Sequence, residues 1–132
     1  EPSEMAKSVL IAADVKREFS PGRFDAELFL VALPADRKVD MGTLAKVIDK
    51  KREKLRFATQ LEVERLTGFS AGSIPPFAMP RTIPVILDES LLRHAHVWCG
   101  TGKATESIRI SIEDLATLSM CTTASVSKPA AG

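Results

Sequence analysis

Two apolar segments near the start of the chain constrain its fold most strongly. The segment "KSVLIAADVKR" (residues 7–17) is apolar and partly β-branched, and "FDAELFLVALP" (residues 24–34) alternates charged and apolar side chains before becoming apolar. Both patterns are typical of β-strands. The intervening "EFSPGR" contains Pro21-Gly22, a turn signal. We therefore predict an antiparallel β-hairpin.

Three segments have helical spacing and their own start signals. Asp40 is a predicted N-cap before "MGTLAKVIDK", whose apolar residues recur at helical intervals. Thr59 and Glu62 have capping-box spacing at the start of "TQLEVERLTG", and Gly68 is placed to end that helix. Ser111 is the predicted cap of a last short helix, "IEDLATLS".

Five further segments predict short strands: "LRFA", "PVILD", "HVWC", "ESIRIS" and "TASVSK". The predicted order is β-β-α-β-α-loop-β-β-β-α-β. Hairpins mixed with helices indicate an α+β fold with a mixed sheet. A length of 132 residues predicts one domain.

The charge balance excludes a global attraction to nucleic acid. The chain has 18 basic and 17 acidic residues, so binding to a polyanion would need a local patch. The segment "DKKREKLR" (residues 49–56) offers one. It fits a solvated helix end, where cations complement the helix dipole, and it also fits a contact with a nucleic-acid backbone.

Cysteine usage and hydropathy indicate the compartment. Cys99 and Cys121 have no framework spacing, which predicts free thiols in a reducing environment. The longest strongly apolar run, "LFLVALP", is far below the roughly 20 residues of a membrane helix. We expect a cytoplasmic protein with no membrane contact.

Several catalytic motifs are excluded. "GTGKAT" is not a phosphate-binding P-loop, because Val97 stands where the first glycine is needed and Ala104 follows the lysine. The letters of a serine-hydrolase G-x-S-x-G elbow occur at residues 68–72, but they follow a predicted helix, whereas the elbow is a strand-to-helix turn. The pair His94 and His96 lacks an evident third metal ligand. A nucleophilic Cys99 remains a weak alternative to a buried structural thiol.

Four stretches together resemble one family: "MAKSVLI", "LRFATQLEVERLTGFSAGSIPPFAMP", "PVILDESLL" and "CGTGKATESIRISIEDL". In this order and spacing the chain resembles the YbaK-type aminoacyl-tRNA deacylases, which are related to the editing insertion domain of bacterial prolyl-tRNA synthetase. The match covers nearly the whole chain. It implies that residues 1–132 form a single editing domain whose mixed sheet is barrel-like and flanked by helices.

The resemblance also implies an activity. It is the hydrolysis of the ester of a mischarged aminoacyl-tRNA, bound by its 3′ acceptor end, with tRNA(Pro) carrying a small non-proline amino acid as the expected substrate. No cofactor or metal is implied, and prolyl-tRNA synthetase is a candidate partner. The alternative is a non-catalytic tRNA-binding or regulatory module on the same fold that uses residues 50–56.

The resemblance assigns roles to individual residues. Lys7 would be the catalytic cation, used for charge and positioning rather than as a base. The G-x-x-x-P loop has Gly72 and Pro76 as its fixed points, and glycine there lets the backbone approach a ligand closely. A second glycine-bearing turn places Gly100 at the site. The implied substrate-binding residues are Gly72, Ser73, Ile74, Pro75, Pro76 and Gly100.

The loop "GFSAGSIPPFAMPRTIPVILDES" (residues 68–90) contains four prolines. We expect Pro75, Pro76 and Pro80 to stiffen it by fixing φ. Prolines cannot donate hydrogen bonds, so donation to the ester falls to the N–H groups of residues 72–74.

The chain departs from the family pattern in two respects. The family's N-terminal helical segment and strand are not among the six residues before Lys7, so we expect either that part of the amino-acid pocket is missing or that the chain is an excerpt. The turn "VWCGTGKATES" has no histidine, which leaves open the amino acid removed and the part played by His94 and His96. Asp88 follows a strand and is interpreted as a helix cap rather than a catalytic carboxylate.

Overall fold

A mixed β-sheet of five strands lies at the centre of the fold, which a computed structural model describes for residues 2–16, 24–70, 72–79, 83–103 and 106–130. The strands run in the order β4-β1-β2-β5-β8. Two smaller sheets pair β3 with β9 and β6 with β7. The strands are β1 Ala6–Lys16, β2 Phe24–Pro34, β3 Arg37–Val39, β4 Leu55–Phe57, β5 Val85–Asp88, β6 His96–Gly100, β7 Ser107–Ser111, β8 Thr122–Ala124 and β9 Ser127–Pro129.

The predicted hairpin is confirmed. Strands β1 and β2 pair antiparallel in one register, from Ala6 opposite Pro34 to Lys16 opposite Phe24. The predicted turn at Pro21-Gly22 lies outside the described residues. Because β2 pairs in parallel with β5, and β5 with β8, the sheet is mixed, as the α+β prediction requires.

The sheet is open, so the barrel-like part of the prediction is wrong. Strands β4 and β8 form its two edges and do not pair with each other. Each has only three residues, Leu55–Phe57 and Thr122–Ala124. Closure into a barrel needs tilted, staggered strands that meet edge to edge, and two such short edge strands provide few groups for that pairing.

The three predicted helices are present as α1 Met41–Val47, α2 Gln60–Thr67 and α3 Ile112–Ser119. The carboxylate of Asp40 accepts the N–H of Thr43 at 3.1 Å. The Thr59 side chain accepts the Glu62 N–H at 3.2 Å, and the Glu62 carboxylate accepts the Thr59 N–H at 2.8 Å, which is the predicted capping box. Ser111 likewise caps α3.

The end of the chain differs from its prediction. The segment "TASVSK" is split into β8 and β9 around Val126, whose side chain is fully buried, instead of forming one strand. Strand β9 pairs with β3, a strand that sequence analysis missed. Arg37 joins the two by donating from Nε to the Ser127 hydroxyl at 2.6 Å.

Asp88 at the end of β5 anchors this split. Its carboxylate accepts the Val126 N–H at 2.9 Å and the Ser127 hydroxyl at 2.8 Å. It also accepts the N–H and hydroxyl of Ser90, so it caps the 3₁₀ turn Glu89–Arg93 as predicted. Burial alone would raise the pKa of Asp88, but these hydrogen bonds outweigh burial and lower it.

An ion-pair network joins β1, β4 and α2. Arg56 donates two hydrogen bonds to Glu62, at 2.6 and 2.9 Å, and a third from Nε to Asp14 at 3.0 Å. These contacts raise the pKa of Arg56, and the hydrogen bonds from Arg56 and Thr59 lower the pKa of Glu62 to about 2. Part of the basic segment 49–56 is therefore structural.

The core consists of three apolar clusters. One packs α1 on the sheet, one lies under α2 and the proline-rich loop, and one joins α3 to β5 and β6. In the part of the chain that the structure describes, no helix has the length and apolar character needed to span a membrane.

Candidate functional site

The candidate site lies at an interrupted edge of β1. On this edge β4 pairs only with residues 11–13, and Met5 forms a single parallel bridge with Trp98 of β6. Among the described residues, positions 7–9 have no strand partner there. The loop that begins at Gly72 covers this gap and leaves two cavities beside Lys7.

The first cavity has a volume of about 310 Å³. It opens between the start of β1, the proline-rich loop and the β6–β7 hairpin. Its lining residues are Met5, Ala6, Lys7, Ala35, Gly72, Trp98, Cys99, Gly100, Lys103, Glu106 and Ser107. Three residues predicted from the sequence, Lys7, Gly72 and Gly100, thus line the same cavity.

The second cavity, of about 250 Å³, lies between β1 and α2 and is mostly apolar. Its lining residues are Lys7, Ser8, Val9, Leu10, Phe57, Ala58, Val63, Gly72 and Ile74. Lys7 and Gly72 line both cavities. A ligand with a polar end in the first cavity and a small apolar group in the second would therefore pass between these two residues.

The turn at Gly72 sets the direction of the loop. Gly72 has φ +88°, a left-handed conformation that favours glycine. The following Ser73 donates both its N–H, at 3.1 Å, and its hydroxyl, at 2.9 Å, to the carbonyl of Ser70. Ser73 is buried, so its predicted donation to substrate is not available in this conformation.

The remaining predicted donors are Gly72 and Ile74. Neither N–H makes a hydrogen bond to another described residue. Both residues line the second cavity, and Gly72 also lines the first. The two N–H groups flank Ser73 and are the loop groups that remain able to polarise a carbonyl.

Gly100 and Gly102 hold the loop in place. The Gly102 N–H donates to the Ser73 carbonyl at 2.9 Å. A Cβ atom at Gly100 would lie 2.9 Å from that same carbonyl oxygen, closer than side chains tolerate. Gly100 therefore allows close approach of the loop backbone to β6, and this packing accounts for a glycine there. The role of Gly102 was not predicted from the sequence.

Two prolines of the loop are buried away from both cavities. Pro75 and Pro76 are buried and lie outside the linings of both cavities, and Pro76 begins the 3₁₀ turn Pro76–Ala78. This position is compatible with their predicted role in stiffening the loop. It does not bring them to a cavity where they would contact a substrate directly, as was also predicted. Pro80 lies outside the described residues.

Lys7 is a half-buried cation without a carboxylate partner among the described residues. The other charged residues that line the first cavity are Lys103 and Glu106, which pair loosely with each other at 3.9 Å. The positive charge of Lys7 is thus available to an anion or a carbonyl oxygen in either cavity.

The other chemical groups near the site are weaker candidates. Cys99 is only 2% exposed, and burial raises the pKa of its thiol to about 11, which disfavours the nucleophilic thiolate. His94 and His96 line a separate space of about 180 Å³. Within the described ranges, no cluster of three His, Cys, Asp or Glu side chains is arranged to hold a metal ion.

A larger hollow of about 420 Å³ lies between β2 and α2. Leu28, Phe29 and Leu66 line it, and none of the predicted site residues does. Its lining is mostly apolar, and its charged residue, Glu27, is paired with Lys50 at 2.9 Å, so the chemistry favours the cavities at Lys7.

Several residues of the first cavity, chiefly Met5, Trp98 and Ser107, were not predicted from the sequence. Trp98 and Ser107 lie on β6 and β7, whose alternation was visible in the sequence. Which face of that hairpin turns toward Lys7 was not visible, because it depends on the bridge between Met5 and Trp98.

Comparisons with known proteins identify the family of the chain. Residues 1–118 match the family model of the aminoacyl-tRNA editing domain. A proline–tRNA ligase of Aquifex aeolicus (strain VF5) is 34% identical over 90 residues, which are 68% of this chain and 14% of that ligase. The chain therefore spans a small part of the length of this relative.

Two solved structures share the fold. A candidate trans-editing enzyme for prolyl-tRNA synthetase has a TM-score of 0.79 at 26% identity, covering 97% of this chain and 73% of the other. A hypothetical protein has a TM-score of 0.80 at 25% identity, covering 97% of this chain and 77% of the other. By the extent of the family match, the chain belongs to the aminoacyl-tRNA editing domain family.

Proposed function

We propose that this domain is a deacylase that hydrolyses the ester between a small, wrongly attached amino acid and the 3′ end of a tRNA. The observation that carries the proposal is that Lys7 and Gly72 together line two adjoining cavities. Family membership and the similarity to part of a proline–tRNA ligase support the substrate class and favour tRNA(Pro).

The reaction needs little chemical machinery. An aminoacyl ester is already reactive, so a positioned water and a stabilised oxyanion are enough. The ammonium of Lys7 supplies positive charge beside the ester carbonyl, and the N–H groups of Gly72 and Ile74 supply hydrogen bonds. One such donor contributes about 3–4 kcal/mol of transition-state stabilisation in other hydrolases.

Selection of the amino acid follows from the second cavity. Leu10, Val63 and Ile74 belong to the buried core, so the walls that face an acyl side chain are closely packed. One methylene is worth about 1–3 kcal/mol in such a pocket. Small side chains would enter, and the five-membered ring of proline would be excluded by its shape.

The test uses a panel of tRNAs charged with Ala, Ser, Thr, Cys, 2-aminobutyrate and Pro. The full chain should release at least one small amino acid and spare Pro-tRNA. Lys7→Ala should lower the rate by about 100-fold or more, the effect of removing one oxyanion donor. Lys38→Ala, which removes an exposed lysine of β3, is the matched control and should retain the activity.

Two results would count against the proposal. Equal rates for Lys7→Ala and wild type would remove Lys7 from the reaction. Salt-dependent tRNA binding with no acyl release on any member of the panel would support the non-catalytic module instead. The exposed Lys51, Arg52 and Lys54 would then be the cations to replace, because Lys50 and Arg56 are paired with acidic side chains.

A further inference from the structure

The outward face of the β6–β7 hairpin combines an aromatic ring with a cation. Trp98 is 41% exposed and pairs directly across the strands with Arg109. His96 and Gly100 lie two residues away on the same face of β6, and both Arg109 and His96 are exposed. An indole face and a guanidinium group therefore lie side by side at the surface.

This face is connected to the candidate site through Trp98. Trp98 lines the first cavity, and it also lines a third cavity of about 180 Å³ with Glu4, His94, Ala95, His96 and Arg109. The third cavity thus continues the first along the hairpin. A ligand bound at Lys7 could extend past the indole ring without leaving the protein surface.

The chemistry of the third cavity suits one unpaired nucleotide. An exposed aromatic face stacks with any base, and an arginine beside it contacts the adjoining phosphate. His94 adds a buried Nε2 atom that has no hydrogen-bond partner among the described residues. Glu4 places a carboxylate in the same lining, which disfavours a row of phosphates and favours a base with a single phosphate contact.

We propose that Trp98 and Arg109 bind the nucleotide that precedes the terminal adenosine of the tRNA 3′ end. Trp98 stacks on its base, and Arg109 contacts its phosphate. This inference rests on the proposed function, because the acylated terminal nucleotide is taken to occupy the first cavity. The occupant is single-stranded RNA, since a base inside a duplex has no free face to stack on the indole.

The first experiment measures binding without catalysis. Trp98 is the only tryptophan of the chain, so its fluorescence reports on ligands at this face and in the first cavity, which it also lines. Titration of the full chain with a short RNA ending in CCA should quench the emission saturably. Arg109→Ala should weaken this binding by about 3- to 30-fold and reduce its dependence on salt. Arg65→Ala removes an exposed arginine of α2 outside all these cavities and should bind as wild type does.

The second experiment separates this contact from the hydrolysis step. Loss of stacking in Trp98→Leu should lower kcat/KM on a mischarged tRNA by about 5- to 100-fold. The loss on a 3′-aminoacyl-adenosine, which has no preceding nucleotide, should be smaller. Trp98→Phe keeps an aromatic face and should recover most of the tRNA activity. Near-native circular dichroism of each variant shows that it is folded.

The outcomes distinguish the two proposals. Quenching by the RNA that Arg109→Ala weakens, in a chain that releases no amino acid, would contradict the deacylase while supporting the nucleotide contact. Deacylation by a chain whose Trp98 emission does not respond to the RNA would overturn the contact and leave the deacylase standing. Equal losses on the two substrates in Trp98→Leu would also overturn it, because the residue would then act only within the first cavity.

Discussion

Replacement of Gly100 by alanine tests how the site is held together. The added Cβ would lie 2.9 Å from the Ser73 carbonyl oxygen, 3.0 Å from the Ser73 carbonyl carbon and 3.4 Å from the Ile74 carbonyl oxygen. All three atoms are backbone, so no side chain can rotate away. Reaching an ordinary contact requires the loop and β6 to separate by at least about 0.5 Å.

Two effects of Gly100→Ala follow. Overpacking of this kind typically destabilises a domain by about 1–3 kcal/mol. The movement also displaces the Ser73 carbonyl, which accepts the Gly102 N–H at 2.9 Å, and with it the neighbouring N–H groups of the loop. Because a 1 Å error in positioning costs about 100-fold in rate, half of that displacement should lower kcat by about 10-fold.

The assays are urea unfolding followed by circular dichroism and single-turnover deacylation of a mischarged tRNA. Gly42→Ala is the matched control. A Cβ there would meet only Asp40 Oδ1 at 3.6 Å, an ordinary contact, and Gly42 lies within helix α1. That variant should be stabilised by about 0.5–1 kcal/mol, since alanine is the better helix former. A Gly100→Ala variant with the stability and rate of the wild type would refute this account of the loop.

Two further predictions concern titratable groups. Arg56 and Thr59 lower the pKa of Glu62 to about 2 in the folded chain. The contribution of Glu62 to the free energy of unfolding is therefore complete above its ordinary pKa of 4.5 and is lost as the pH falls toward 2. In urea unfolding, the free energy of unfolding should fall by about 1–2 kcal/mol from about pH 6 to about pH 2, after allowance for solvent screening, and this fall should be absent in Glu62→Gln. Identical pH profiles for the two proteins would contradict the pairing. Since burial raises the pKa of Cys99 to about 11, iodoacetamide at pH 8 should modify the more exposed Cys121 first. Mass spectrometry after labelling of the native chain measures the order of modification. Rapid alkylation of Cys99 would support Cys99 as a nucleophile.

The local elements of the fold were predictable because their signals lie within a few residues of one another. Alternation in residues 24–34 predicted β2, and the Thr59–Glu62 spacing predicted the start of α2. The Asp88 cap was predictable for the same reason. Strand β3 was missed because its three residues have no pattern of their own, and it exists through pairing with β9 some 90 residues later.

The site was predictable only in part. The resemblance to the editing family selected Lys7, Gly72 and Gly100, which the structure brings together around one cavity. It did not reveal that Ser73 uses its donors on Ser70, or that Pro75 and Pro76 are buried outside the linings of both cavities. These facts depend on the direction of the turn at Gly72.

Local signals were therefore enough to predict most strands and helices, because caps, turns and alternation act over short distances. The interruption of the β1 edge, between β4 and the bridge from Met5 to Trp98, depends instead on long-range pairing. That gap exists because strands distant in the sequence pair with different parts of one strand. The cavities beside Lys7, and the exposed ring of Trp98, are consequences of that pairing.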